Sequence, residues 1–302
     1  MKVLKKIFSI ENSENKTHKI LTVLGIKIKF KNVILSLLVD IQNSINKVLY
    51  MQNFIYSLYS VIKACHVHPN TFGKYKGCNE GKDVVLVCGG PSIKYFEPID
   101  NAVYATVNNG CLYDKVKFDY LFLQELHENK GKNLIVNNYS YKNCQKFYGI
   151  IAQKRLSEVY PSCKLIPPKD FDANNVKRYY LDDILNYKFA YDLTTEPIGD
   201  FGGTAFSAIQ FLLWTRPKRI YLAGVDCSSA GNAFHENKEV MHLECHIESW
   251  KKLKQFKDDC YPSVEIISIN PVGLKGVFKD IYTESFTKAY LENAPKKEVE
   301  VV

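Results

Sequence analysis

Three kinds of hydrophobic patterning follow one another along the chain. In residues 1–32, Lys5 to Ile10 and Lys19 to Lys31 alternate apolar with polar positions around the turn Glu11-Asn12-Ser13-Glu14-Asn15. A period of two predicts half-buried strands, here a small β unit too slight to fold alone. From residue 33 the period changes. Ile34, Leu38, Ile41, Ile45, Val48, Gln52, Ile55, Tyr59 and Ile62 recur at alternating spacings of four and three, the seam of a coiled coil. This predicts one long amphipathic helix over residues 33–68, roughly 50 Å at 1.5 Å per residue, ended by His66-Val67-His68-Pro69. Residues 69–82, with three glycines and mixed charge, read as a linker.

From Asp83 the pattern becomes strand, turn and helix in repetition. Val84 to Val87 is short and wholly apolar, which suits a strand buried on both faces. It stops at Gly89-Gly90, and Pro91 and Ser92 fit the opening of a helix. Further strands are expected at Ala102–Val107, Phe118–Leu123, Asn133–Val136, Phe147–Ala152, Arg219–Ala223 and Val264–Ile269, with helices at Ala205–Trp214 and His242–Lys257. Residues 153–200 carry no placeable pattern, 227–241 read as a mobile loop, and the charged tail 293–302 reads as disordered. Alternating strands and helices predict an α/β fold, a Rossmann-like and mainly parallel sheet with helices on both faces, over residues 83–292.

In such a sheet ligands sit beyond the carboxyl ends of the strands. Those ends carry Gly89-Gly90, Asn108-Asn109, Gln124 and Asp226. A strand delivering a glycine turn to a helix start brings N–H groups and the positive helix end together, which suits a phosphate; the same turn also serves plain βα packing. One Asn at a strand end is an ordinary turn residue, whereas several polar ends at one edge point to a site for a sugar, a base or a phosphate.

Composition narrows the function classes. The 302 residues carry 40 basic and 32 acidic side chains, a net charge of +8, with 46% hydrophobic residues. The lysines are scattered, so nucleic acid is not the expected partner, while an anionic substrate or an anionic membrane surface stays open. Nine cysteines occur without a CxxC pair, which fits reduced thiols better than a disulfide framework. With no stretch of eighteen apolar residues and no signal-peptide pattern, the expectation is a soluble cytoplasmic protein. The helix over residues 33–66 has three readings: packing on its own domain, self-association into a homo-oligomer, or peripheral contact with the inner face of the cytoplasmic membrane.

Histidine is concentrated late, at His235, His242 and His246. His242 and His246 share a helical face with Glu239 one turn before. A metal would need a third ligand such as Glu239 or Cys245, and the zincin pattern HExxH is absent; a general base, or an ordinary surface or core histidine, are the alternatives. Asp182-Asp183 and Asp258-Asp259 lie in polar, helix-like stretches and read as solvated faces.

The segments VVLVCGGPSIK, VYATVNNGCLYDK, FDYLFLQ, GGTAF with RIYLAGVD, and EIISINPVGLKGVF together resemble the bacterial lipooligosaccharide sialyltransferases, glycosyltransferase family 42. A weaker likeness extends to the flagellin glycosyltransferase and pterin pyrophosphokinase-like group. The resemblance covers about residues 83–285 and implies a Rossmann-like sheet with a lid. It further implies inverting, metal-independent transfer of an acid sugar such as sialic acid from its CMP-activated donor to a glycan or glycolipid, with no cofactor, in surface-glycan synthesis. It places Gly89, Gly90, Pro91 and Ser92 at the nucleotide phosphate. Asn108, Asn109, Gln124, Gly203, Thr204 and Asp226 would line the donor site, and His246 would be the general base. Family members clamp the leaving phosphate with two lid tyrosines; the corresponding loop here, CSSAGNAFHENK, has none, and Ser228, Phe234 and His235 fall near those positions. The rival readings are an ATP-dependent pyrophosphokinase-like enzyme and an inactive scaffold that oligomerises through residues 33–66.

Overall fold

A computed structural model describes residues 8–12, 18–23, 26–31, 33–124, 144–151, 176–182, 188–231, 233–234 and 243–293. The chain divides into two compact units, residues 1–55 and 56–302. The first contains an antiparallel sheet of β1 (Phe8–Asn12), β2 (His18–Val23) and β3 (Ile26–Lys31), as the period-two alternation predicts. It also holds the start of helix α1 (Val33–Phe72). That helix runs on through Pro69, past the His66–Pro69 stretch where the sequence places its end.

The second unit is built on a sheet that has nine strands among the described residues. In chain order these are β4 (Asp83–Val87), β5 (Val103–Val107), β6 (Tyr120–Gln124), β7 (Gln145–Ile151), β8 (Val176–Asp182), β9 (Ile198–Gly199), β10 (Arg219–Ala223), β11 (Glu265–Ile269) and β12 (Lys279–Ile281). Every neighbouring pair is parallel. The spatial order is β12-β11-β10-β4-β5-β6-β7-β8-β9, so the chain starts in the middle, works outward on one side, then returns to β10 beside β4. The six strands from β6 to β12 across the centre thus repeat the 3-2-1-4-5-6 order of a Rossmann sheet, and the switch point lies between β4 and β10.

Strands β4, β5, β6, β10 and β11 share one burial pattern, a partly exposed first residue and then four buried ones. Both faces are therefore covered, which is why these strands read as unbroken apolar runs rather than alternating ones. Val84, Leu86, Phe122, Ile220 and Leu222 face one core with α2 (Thr204–Trp214), Trp250 of α3 (Leu243–Cys260) and Phe72 at the end of α1. Val85, Val87, Leu121, Leu123 and Ala223 face the other, which is closed by short 3-10 turns at Pro91–Tyr95 and Asn108–Leu112. A last helix, α4 (Glu284–Asn293), follows β12.

Two further sequence expectations change. Val176–Asp182 is a strand, so Asp182 ends a sheet strand rather than lying on a polar helix face; its run of large and β-branched residues carries the strand against two basic side chains. Residues 69–82 are not a loose connection. Phe72, Tyr75 and Asn79 are buried, Phe72 stacks on Phe147 at 5.5 Å, and the Trp214 indole N–H donates to the Phe72 carbonyl at 3.1 Å. The expected strand Asn133–Val136 lies outside the described residues, as do Glu239 and residues 294–302 of the tail.

Candidate functional site

The switch point sets the place. Gly224 follows β10 with φ +69°, and a Cβ there would stand 2.5 Å from the Cys88 carbonyl oxygen. Opposite, a Cβ on Gly90 would stand 2.5 Å from the Gly224 oxygen and 2.6 Å from Cγ of Asp226. The two strand ends approach so closely that only hydrogen fits between them. The Gly90 N–H donates to the Gly224 carbonyl at 2.8 Å. Asp226 then locks the turn: one carboxylate oxygen accepts the Ser92 N–H at 2.8 Å and the other accepts the Ser92 hydroxyl in a short contact. Burial pushes the Asp226 carboxyl above its ordinary range, and the two Ser92 hydrogen bonds pull it back only in part.

This geometry alters the expectation for the glycine turn. The segment after it is a five-residue 3-10 turn, too short for a substantial helix dipole. Its Ser92 and Gly90 N–H groups already have partners within the fold. Gly90 and Gly224 allow the close approach of the two strand ends, and Asp226 positions Ser92.

One strand further out a different set assembles. Asn108 directly follows β5 and takes a left-handed backbone, φ +44°, which Asn tolerates better than most residues. Its Nδ2 donates to Thr204 Oγ1 at 3.0 Å. Thr204, the first residue of α2, donates its hydroxyl to Gln124 Oε1 at 3.2 Å. Gln124 ends β6, and its Nε2 donates to Ser207 Oγ at 2.8 Å and approaches the Tyr179 hydroxyl at 3.5 Å. Each group in this chain has one donor and one acceptor role fixed by the next. The chain leaves Asn108 Oδ1 as an acceptor that is buried and has no partner among the described residues; Asn109 Oδ1 and Ser228 Oγ stand in the same condition. Buried polar atoms are nearly always satisfied; Ser268 Oγ within β11 and Asp280 Oδ1 within β12 are orphaned as well, and Asn108, Asn109 and Ser228 are the three that follow the carboxyl ends of strands.

His246 lies at this edge too. Gly202, φ +79°, precedes the helix start, and a Cβ there would sit 3.3 Å from His246 Nε2. The imidazole meets Phe206 edge-on, ring centroids 6.2 Å apart. Gly203 is the N-cap of α2 and has no side chain to cap that helix start; the Phe206 N–H donates to the Gly203 carbonyl at 2.9 Å.

The sequence-expected residues thus fall into three groups. Asn108, Gln124, Gly203, Thr204 and His246 share the edge around the start of α2, with Asn109 beside them in the chain. Gly89, Gly90, Pro91, Ser92 and Asp226 form the adjoining switch-point turn, where the Gly89 carbonyl accepts the Ala233 N–H at 2.7 Å. Of the lid residues, Ser228 and Phe234 are half-buried, whereas His235 lies outside the described residues, as does His242 of the HxxxH pair. Among the described residues no group of three or more His, Cys, Asp and Glu side chains is placed to hold a metal. Asp258 is paired with Lys254 and Lys257, as a solvated helix face should be.

Sequence reasoning missed Ser207, Tyr179, Gly149 and Gly224. Ser207 had a visible signal, three residues after Thr204 and therefore on the same helical face. Tyr179 and Gly149 had none: a Cβ on Gly149 would meet the Tyr179 hydroxyl at 2.7 Å and Gln124 Cγ at 2.9 Å, a contact between separate strands.

No family model matches the chain, and no curated protein matches it. Solved structures do. The sialyltransferase CstII from Campylobacter jejuni, in complex with the substrate analogue CMP-3FNeuAc, matches at 11% identity and TM-score 0.35, over 62% of this chain and 80% of that one. The sialyltransferase Cst-II in a tyrosine-to-phenylalanine form, in complex with CMP, matches at 14% identity and TM-score 0.37, over 69% of this chain and 98% of that one. At these TM-scores the likeness carries no residue from one chain to the other.

Proposed function

We propose that the protein is an inverting glycosyltransferase that takes an acid sugar from a CMP-activated donor and works without a metal. The observation that carries the reading is the set of orphaned acceptors, Asn108 Oδ1, Asn109 Oδ1 and Ser228 Oγ, beyond the carboxyl ends of the strands in a sheet with Rossmann order. An uncharged, acceptor-rich edge suits the exocyclic amine of a pyrimidine base and sugar hydroxyls, while the uncapped start of α2 offers N–H donors to a phosphate. The sequence resemblance to the lipooligosaccharide sialyltransferases supplies the donor class and the acceptor, a glycan or glycolipid.

In the reaction the acceptor hydroxyl oxygen attacks the anomeric carbon as the bond from that carbon to the phosphate oxygen breaks. His246 Nε2 takes the hydroxyl proton, and the electron pair leaves on CMP. Gln124 and Thr204 act through Asn108, holding its amide so that Oδ1 faces the donor. The tyrosine-less lid leaves stabilisation of the departing phosphate to the α2 N–H groups.

Thermal unfolding with a panel of CMP, UDP, GDP and ATP, with and without magnesium, tests the reading. Binding at about a hundredfold over Kd stabilises by roughly 2.7 kcal/mol. CMP is expected to raise the midpoint equally with and without magnesium, Asn108→Ala to abolish the rise, and His246→Gln to keep it while losing sugar transfer by about 10²-fold or more. A magnesium-dependent rise with ATP and none with CMP would move the assignment to pyrophosphate transfer.

A further inference from the structure

Between Leu37 and Ile62, α1 presents large apolar side chains to solvent. Leu38, Ile41, Ile45, Val48, Ile55 and Ile62 are between 47 and 64% exposed. Placing Leu38, Ile45, Gln52 and Tyr59 at heptad position a puts Ile41, Val48, Ile55 and Ile62 at d. The flanking e and g positions are largely apolar as well, with Leu37, Leu49, Met51 and Leu58 each about half exposed or more. The later turns of the helix show which face its own domain uses. Ser57, Ser60, Ala64, His68 and Thr71 are buried, and all five fall at b, c or f. Within those same turns Tyr59 and Ile62 on the seam, and Leu58 beside it, stay exposed. The domain takes the small and polar face and leaves the seam free.

We infer that this seam joins copies of the chain into a helical bundle of more than two strands. The spacing of 3.5 residues is the one that keeps a stripe facing a partner helix along a left-handed supercoil. β-branched residues at every described d position disfavour the parallel dimer, and apolar e and g positions widen the stripe beyond what two helices cover; both favour a trimer or tetramer. Gln52 is the single polar residue at a, a position where one such side chain fixes register. The open apolar surface of seam and flanks is on the order of 1,000 Å² per chain, above the ~800 Å² per partner of a stable interface and the 300–600 Å² patch an ordinary monomer leaves exposed. A lipid surface fits less well. Interfacial helices carry Lys and Arg on the polar face, whereas here the positions opposite the seam mix Asn43, Asn46 and Asn53 with exposed Val39, Tyr50 and Phe54, and Asp40 and Lys47 are the charged residues between 33 and 62. The inference does not depend on the reading of the active site.

Sedimentation equilibrium of the full chain tests it. The expected mass is that of three or four copies, falling to one in the double variant Ile45→Lys/Ile55→Lys with far-UV and near-UV circular dichroism of the main domain retained. Asn46→Lys, at b, controls for added charge and should leave the mass unchanged; Gln52→Ile should keep the association and lower its dissociation constant. A monomer or dimer for the unaltered chain at about 10 μM overturns the inference, as does an unchanged mass in the double-lysine variant. A monomer that instead pellets with phosphatidylglycerol vesicles would identify lipid as the occupant and overturn it equally.

Discussion

His68 shows how a single side chain can serve the fold and make it pH-dependent. It is fully buried on α1, its Nδ1 donates to the Glu196 carbonyl at 2.9 Å, and its Nε2 accepts the Tyr180 N–H at 2.9 Å. Both ring nitrogens are committed with the ring neutral, and burial lowers the pKa to about 4 from 6.5. Because the folded value lies below the unfolded one, the unfolded chain takes up a proton first as the medium acidifies. The contribution of His68 is whole above pH 6.5 and is lost as pH falls towards 4. Between pH 7.5 and 5 this amounts to about 2 kcal/mol. Urea unfolding at the two pH values should show that loss in the unaltered chain, and His68→Gln, less stable at both, should lack that part of the slope; equal slopes in the two proteins would remove His68 as its source. Gly90 is constrained by space instead. Gly90→Ala forces a methyl group to within 2.5 Å of the Gly224 oxygen, an overpacking cost of about 3 kcal/mol and a midpoint drop of roughly 6–10 °C. Gly73, where an added Cβ would meet nothing within 4 Å, should tolerate alanine within about 0.5 kcal/mol.

At the scale of elements, the sequence was most legible where period and burial coincide. The strands Val84–Val87 and Arg219–Ala223 stand out as runs because both faces of the sheet are covered, and the helix ending at Trp214 is bounded by Arg216-Pro217. The polar ends Asn108 and Gln124 could be placed at one edge for the same reason: parallel strands put all their carboxyl ends on one side. What could not be read is how those groups connect. Thr204 lies 96 residues from Asn108 and 80 from Gln124, and nothing local records that its hydroxyl bridges them. The bonding of the glycine turn was equally hidden, since the Ser92 N–H that looks available in sequence is taken by Asp226 from 134 residues away. The end of α1 was missed for a different reason. Pro69 ordinarily stops a helix, but here Thr71 donates its hydroxyl to the Arg178 carbonyl at 2.8 Å and Phe72 enters the aromatic core, so tertiary contacts outweigh the local preference. The bond from Ser92 to Asp226 can be tested on its own element: Asp226→Ala strands a buried Ser92 N–H and should cost about 2–4 kcal/mol, visible as a lower urea midpoint with an unchanged m-value.

For the whole molecule, the question is where the α/β unit begins. The glycine turn and first sheet strand invite a boundary at Asp83, yet the core continues upstream of it. Phe72 lies 5.5 Å from Phe147 and 5.9 Å from Phe211, and Tyr75 lies 5.3 Å from Phe211. Asn79 Nδ2 donates to Thr215 Oγ1 at 3.1 Å, in a buried pair. Losing one large buried aromatic costs about 3–5 kcal/mol, and domains hold only about 5–15 kcal/mol in all. Removing Phe72 and Tyr75 together, with the hydrogen bonds of His68, Thr71 and Asn79, therefore consumes most of that margin. A chain beginning at Asp83 is expected to be insoluble or to lack a cooperative thermal transition. A chain beginning at Tyr56 keeps every one of these contacts and should melt cooperatively, retain the midpoint rise with CMP if the donor site is as proposed, and sediment as a monomer, because of the a and d residues it keeps only Tyr59 and Ile62. If the chain from Asp83 folded as well as the chain from Tyr56, the end of α1 would be an ornament on a self-sufficient sheet; if the chain from Tyr56 remained oligomeric, the association would lie in the α/β unit and not in the helix seam.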